Sequence, residues 1–198
     1  KTFAFGGFTS PRVPAGTYKV VIQKGKETYT NDLVIQYDPK SDISLADRKL
    51  QEEATKKLYD MSQELAYMVY TLDEYVKIAE GVKARDAKSA KIATPLITEL
   101  TKLKETLVVT KGDNYVGAAE PQLREKMAEL YAKVADSYYK PNQAELSNLE
   151  AIESRFNTGK NDYKKIKDKH LPKVMSATSK DAVQPLVLKT FEEFLRLP

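Results

Sequence analysis

The chain has 198 residues, 41% of them hydrophobic and 30% charged, with 32 basic against 28 acidic side chains and a net charge of +4. That length is enough for one domain or two small ones with a real core, and so mild and intermixed a charge directs no strong field at nucleic acid. The absence of cysteine excludes disulfides and thiolate metal sites, although it leaves the compartment open, and no apolar run is long enough to span a bilayer.

The first residues, Lys1-Thr2-Phe3-Ala4-Phe5, read as the inside of a protein, so the expectation is a fragment or a processed product. Residues 1–43 read as β and loop. Phe3, Phe5 and Phe8 are apolar, and Pro14-Ala15-Gly16 is a turn. Thr17 to Lys24 alternates, with Tyr18, Val20 and Ile22 on one face. Gly25 marks a turn, and Glu27 to Tyr37 returns with Leu33, Ile35 and Tyr37 alternating. This is the pattern of a β-hairpin, which is marginal in water by itself and needs helices or further strands to lie against. Asp38-Pro39 ends it.

The longest helical pattern runs from Ser44 to Glu80. Leu50, Ala54, Leu58, Met61, Leu65, Met68, Leu72, Tyr75 and Ala79 recur at steps of three or four and form one stripe. Ser44 stands at the N-cap position, Asp47 adds charge to the first turn, and Gly81 is expected to end the helix. At 1.5 Å per residue it would be roughly 55 Å long and would need partner helices.

The chain supplies them. A second helix is expected over Val82 to Val109, with Ile92, Leu96, Leu100, Leu103 and Leu107 as its stripe and a kink or broken turn near Thr94, before Pro95. Residues 110–119 read as an irregular loop. A third helix is expected from Pro121, with Leu123, Met127, Leu130, Val134 and Tyr138 inward, broken by Pro141. Asn142 and Glu145 make a capping box for a fourth, carrying Leu146, Leu149, Ile152, Phe156, Tyr163 and Ile166 and ending near Leu171 at Pro172. Residues 173–184 read as a polar loop, Pro185 to Leu188 as extended, and Thr190 as the cap of a short last helix, Phe191 to Leu197. The fold class that follows is mainly α: an up-and-down antiparallel bundle of about four helices over 44–198, preceded at 1–43 by a β-hairpin.

Catalytic chemistry is hard to find in these residues. The single histidine, His170, reads as a cation near a helix C-terminus, and no helical metal-site pair, nucleophile elbow or phosphate loop is present. Glu52-Glu53, Asp73-Glu74 and Glu192-Glu193 are adjacent, so each pair diverges around its helix rather than facing a bond from two sides. Lys164, Lys165, Lys167 and Lys169 read as a solvated helix face, interrupted by Asp162 and Asp168. No cofactor is expected.

Twelve tyrosines stand against six Phe and no Trp. Tyr67, Tyr70 and Tyr75, and Tyr131, Tyr138 and Tyr139, gather in two places, where bundle-margin packing or a carbohydrate-stacking surface would use them. The most distinctive short segment is Lys111 to Gly117. Within it, Asp113, Asn114, Tyr115 and Val116 are candidates for an interaction loop, and an ordered inter-helix connection held by turn chemistry is the alternative.

Pro14-Ala15-Gly16-Thr17-Tyr18-Lys19-Val20, Tyr37-Asp38-Pro39, Ser44-Leu45-Ala46-Asp47-Arg48, Gly112 to Gly117 and Glu120 to Glu125 together resemble the C-terminal region of exported bacterial BNR-repeat or sortilin-like β-propeller proteins. Those proteins are labelled glycosyl hydrolase or sialidase-like, with Bacteroidetes-type envelope proteins looking closest. The resemblance implies that residues 1–43 are part of an Ig-like β-module following a propeller. It also implies a periplasmic, outer-membrane-associated or secreted location. The propeller that would hold a glycosidase site is not in this sequence, so the hydrolase label falls on none of its residues.

The resulting expectation is a non-catalytic accessory, assembly or binding module. Its partners would be the rest of a parent protein or another envelope protein, with a glycan as a further candidate and nucleic acid excluded. The alternatives are part of a glycoside hydrolase completed by the propeller, or an independent helical envelope or glycan-binding protein.

Overall fold

A computed structural model describes residues 10–110, 119–178 and 187–196. Among these residues two strands, β1 (Gly16–Lys24) and β2 (Glu27–Ile35), precede five helices. These are α1 (Leu45–Lys83), α2 (Ala87–Leu107), α3 (Leu123–Asp136), α4 (Gln143–Thr178) and α5 (Phe191–Leu195). The chain is mainly helical, as its periodicity predicts.

The long helix forms for the reasons its sequence offers. The Ser44 hydroxyl accepts from the Asp47 N–H at 3.1 Å, and every stripe position from Ala54 to Ala79 is buried, while Leu50 is half-buried. Leu58, Leu65 and Leu72 are at most 1% exposed. Complete burial of each is worth about 1.5–3 kcal/mol. Gly81 does not end the helix, which runs two residues further. A helical glycine costs about 1 kcal/mol relative to alanine. The next residue, Val82, is fully buried and offsets that cost.

The boundary with α2 lies five residues later than the apolar pattern implied. Asp86 is the N-cap, its carboxylate accepting from the N–H groups of Lys88 at 2.8 Å and Ser89 at 2.9 Å. The Ser89 N–H foremost, then the Ser89 hydroxyl, which donates to Asp86 Oδ2 at 2.7 Å, hold the Asp86 carboxyl below its ordinary pKa. Neither internal proline stops its helix. α2 continues through Pro95, and α4 passes Pro172 to end at Thr178 rather than near Leu171. An internal proline costs about 3 kcal/mol. Ala93 and Leu96 beside the first, and Val174 after the second, have no exposed surface, and Arg85 Nη1 donates to the Ala177 carbonyl at 2.6 Å in the last turn of α4. Packing outweighs the lost backbone bonds, and the Arg85 donor separately satisfies a carbonyl at the end of α4. Residues 173–178, expected in a loop, are therefore helix. α3 begins after Gln122 and ends at Asp136, so Tyr138 falls outside its stripe and is exposed.

The helix directions depart from a simple alternation. Gln51 meets Val134, Tyr59 faces Tyr131 and Ser62 meets Met127, so α3 runs antiparallel to the first half of α1. Asp73 pairs with Lys104 of α2, which returns along the second half. α4 rises with α1: Lys57 pairs with Glu153, Glu64 with Lys160, and Thr71 with Tyr163. The bundle is thus three rods. α1 and α4 are parallel and continuous, and the third rod is divided between α2 and α3, which point the same way. Up-and-down order holds for α1–α2 and α3–α4 but not between α2 and α3.

Gly159 of α4 allows the end of α2 to come close. A Cβ there would lie 2.9 Å from Leu107 Cδ2. At the hairpin, Lys24 pairs with Glu27 across a two-residue turn in which Gly25 takes φ 63°, a left-handed angle suited to glycine. β2 ends at Ile35, two residues before the expected Tyr37. Among the described residues the sheet consists of these two strands; the hairpin is shown, an Ig-like module is not.

Candidate functional site

The antiparallel register sorts the hairpin into two faces. Tyr18 lies opposite Leu33, Val20 opposite Asn31, Ile22 opposite Tyr29 and Gly16 opposite Ile35, so six apolar side chains share one face. Thr17, Lys19, Gln23, Thr28, Thr30 and Asp32 occupy the other, with Val21 and Val34 among them. A sheet with one apolar face normally packs it on a core. Here Ile22 is 60% exposed, Tyr29 55% and Leu33 48%, and neither strand packs on any described helix.

The hairpin is nevertheless firmly rooted. The last carbonyls of α3 have no helical donors. Gln51 Nε2 donates to the Val134 carbonyl at 2.7 Å, and Arg12 Nη1 donates to the Ala135 carbonyl at 2.9 Å. The Arg12 guanidinium also lies 4.3 Å from the centre of the Tyr138 ring. Arg48 of α1 stands 5.1 Å from the same ring and 5.2 Å from that of Tyr37, within cation–π range. The Tyr37 hydroxyl donates to Glu52 Oε1 at 2.8 Å. Desolvation and that bond raise the Tyr37 pKa against the opposing effects of the Ala15 backbone and Arg48. Chain on both sides of the hairpin is thereby tied to one end of the bundle while the strands project from it. A backbone turn completes the return, with the N–H of Lys40 donating to Asp38 Oδ1 at 2.9 Å.

The other sequence candidates are distributed through the structure. Asp113, Asn114, Tyr115 and Val116 lie outside the described residues. The tyrosines do not form one stacking platform. Tyr75 and Tyr131 are buried in the core, Tyr138 and Tyr139 are exposed, and Tyr67 and Tyr70 carry Phe191 and Phe194 of α5 at ring separations of 5.2–5.5 Å. Tyr67 donates to the Lys189 carbonyl and the Lys189 N–H donates to Tyr70, which pins α5 to α1.

His170 is not near a helix end, since α4 runs on past it. It is buried, and its Nε2 lies 2.9 Å from Glu99 Oε1. Lys169 donates to the same oxygen at 3.1 Å. Lys169 foremost and then His170 hold the Glu99 carboxyl below its ordinary pKa, against desolvation. The arrangement joins α4 to α2. In the lysine cluster, Lys165 pairs with Asp162 and Lys167 lies over the Tyr163 ring. At least one carboxylate of each adjacent pair is engaged structurally: Glu52 with Tyr37, Glu53 with Lys49, Asp73 with Lys104, and Glu193 in the cap of α5. Among the described residues no group of acidic or histidine side chains is placed to hold a metal ion, and no helix is long and apolar enough to cross a membrane.

Sequence reasoning missed the root. Its one available signal was Gln51, a large polar residue within the apolar stripe of α1. Compared with known proteins, the chain matches no protein-family model, no curated protein and no solved structure.

Proposed function

We propose that this chain is a non-catalytic assembly module of a larger exported polypeptide, in which β1 and β2 complete a β-module and the bundle holds them in place. The observation that carries this reading is the combination of an exposed apolar sheet face with a root built to fix its direction. Two nine-residue strands offer a face about 30 Å long and two strands wide. That is about 300 Å², well short of the roughly 800 Å² per partner in a standard stable complex. Such a face holds best against strands of the same polypeptide, where covalent connection supplies a high effective concentration. The resemblance to the C-terminal region of β-propeller proteins points the same way and adds an envelope or extracellular setting.

The test is a photo-crosslinking residue at Ile22 in the native protein, read together with intact mass. The expected result is a species several-fold heavier than 22.3 kDa, with the crosslink falling on a β-strand of that same polypeptide. A native mass of 22.3 kDa with no crosslink would refute the reading.

A further inference from the structure

The hairpin geometry also distinguishes its two edges. Resting on the assembly reading above, we infer that β2 is the edge that accepts the next strand, and that this strand places a lysine or arginine beside Asp32.

A two-residue turn closes on a hydrogen-bonded pair, here Lys24 with Glu27, and such pairs alternate along an antiparallel ladder. The pairs between them direct their backbone groups away from the partner strand. The outward groups are therefore those of Thr17, Lys19, Val21 and Gln23 on β1, and those of Thr28, Thr30, Asp32 and Val34 on β2.

The β1 edge carries the features that blunt strand pairing. Lys19 lies along it, Lys24 at its end and Pro14 just before it, and the Tyr18 hydroxyl donates back to the Pro14 carbonyl at 2.8 Å. β2 has no lysine, arginine or proline, while both strands are comparably rich in threonine, tyrosine and branched aliphatic residues. Its one charge away from the turn is Asp32. On the β1 side Asp32 already faces Lys19 across the ladder. A cation on the other side continues that alternation, whereas a carboxylate there would repel. Two β2 edges pairing with each other would supply no cation to either Asp32. In phase with this, alternate residues of the incoming strand extend the apolar face of Tyr18, Val20, Ile22, Tyr29, Leu33 and Ile35.

Amide hydrogen exchange on the native polypeptide, compared with the 198-residue chain, tests this. The expected result is that the N–H groups of Thr28, Thr30, Asp32 and Val34 exchange at least tenfold more slowly in the native protein, while those of Thr17, Lys19, Val21 and Gln23 do not change. Asp32→Lys should abolish most of that slowing and Asp32→Asn only part of it. Crosslinking at Ile22 without slowing on β2, or with slowing on β1 instead, overturns the edge assignment and leaves the assembly reading intact. Full protection retained in Asp32→Lys overturns the basic partner. Protection of β2 that appears in the isolated chain only as its concentration rises assigns the edge to a second copy and overturns the inference. A native mass of 22.3 kDa with no crosslink overturns both readings.

Discussion

Replacing Gln51 with methionine should expose how much the root depends on one amide. The two side chains are close in size, so no large cavity forms. Gln51 is 5% exposed, and its Nε2 gives hydrogen bonds to the Val134 carbonyl at 2.7 Å and to Thr55 Oγ1 at 3.2 Å. The Thr55 hydroxyl keeps its own bond to the Gln51 backbone carbonyl, so its loss is small. The Val134 carbonyl loses its donor in a buried place at the end of α3, which costs about 1–3 kcal/mol. For a chain of this size each kcal/mol lowers the melting temperature by about 2–4 °C. Urea unfolding should therefore show a lower midpoint with an unchanged slope. Amide exchange should also quicken in the last turn of α3, where Arg12 holds the adjacent carbonyl. A stability change below about 0.5 kcal/mol, the range of ordinary surface substitutions, would refute the capping role.

Three further outcomes follow from the core and its charges. Leu65→Ala, at a site 1% exposed, should cost about 2–5 kcal/mol in the same unfolding assay. Gly159→Ala should lower stability despite alanine's better helix propensity, because the new Cβ displaces Leu107 from a well-filled core; a gain of about 1 kcal/mol would show Leu107 free to move. Glu99 has a folded-state pKa below its ordinary value, chiefly through the Lys169 hydrogen bond, so its contribution is present above the ordinary value and is lost as pH falls through the lower folded one. Glu99→Gln should flatten the decline in stability on acidification, and an unchanged slope would dismiss the link.

The legible parts of the fold are those decided within one segment. The α1 stripe, the Asn142–Glu145 capping box, the Thr190 cap and the Gly25 turn each rest on neighbours a few residues apart. What sequence could not reveal depends on contacts made at long range. Gly81 and Pro172 are local helix breakers, overruled by Val82 and Val174 in a core that single-segment reading does not see. The common direction of α2 and α3 shows only in their contacts with α1, such as Asp73 with Lys104 and Gln51 with Val134, and periodicity carries no sign of direction. The apolar face of the hairpin was readable at Tyr18, Val20 and Ile22, but its separation from the helices was not. Nor was the Arg12 bond to Ala135, which spans 123 positions.

The parallel pairing of α1 with α4 has a consequence for how quickly the chain reaches its native state. Antiparallel neighbours such as α3 and α4 meet after a short turn. α1 and α4 meet only through partners far apart, Lys57 with Glu153 and Glu64 with Lys160, each 96 positions distant. Closing a loop of that length carries an entropic penalty before its contacts return anything. On this reasoning the two helical hairpins, α1–α2 and α3–α4, should assemble early and the seam that joins them late. Substitutions along that seam, at Tyr163 for example, whose hydroxyl meets that of Thr71, should then act chiefly by hastening unfolding and should leave the folding rate nearly unchanged.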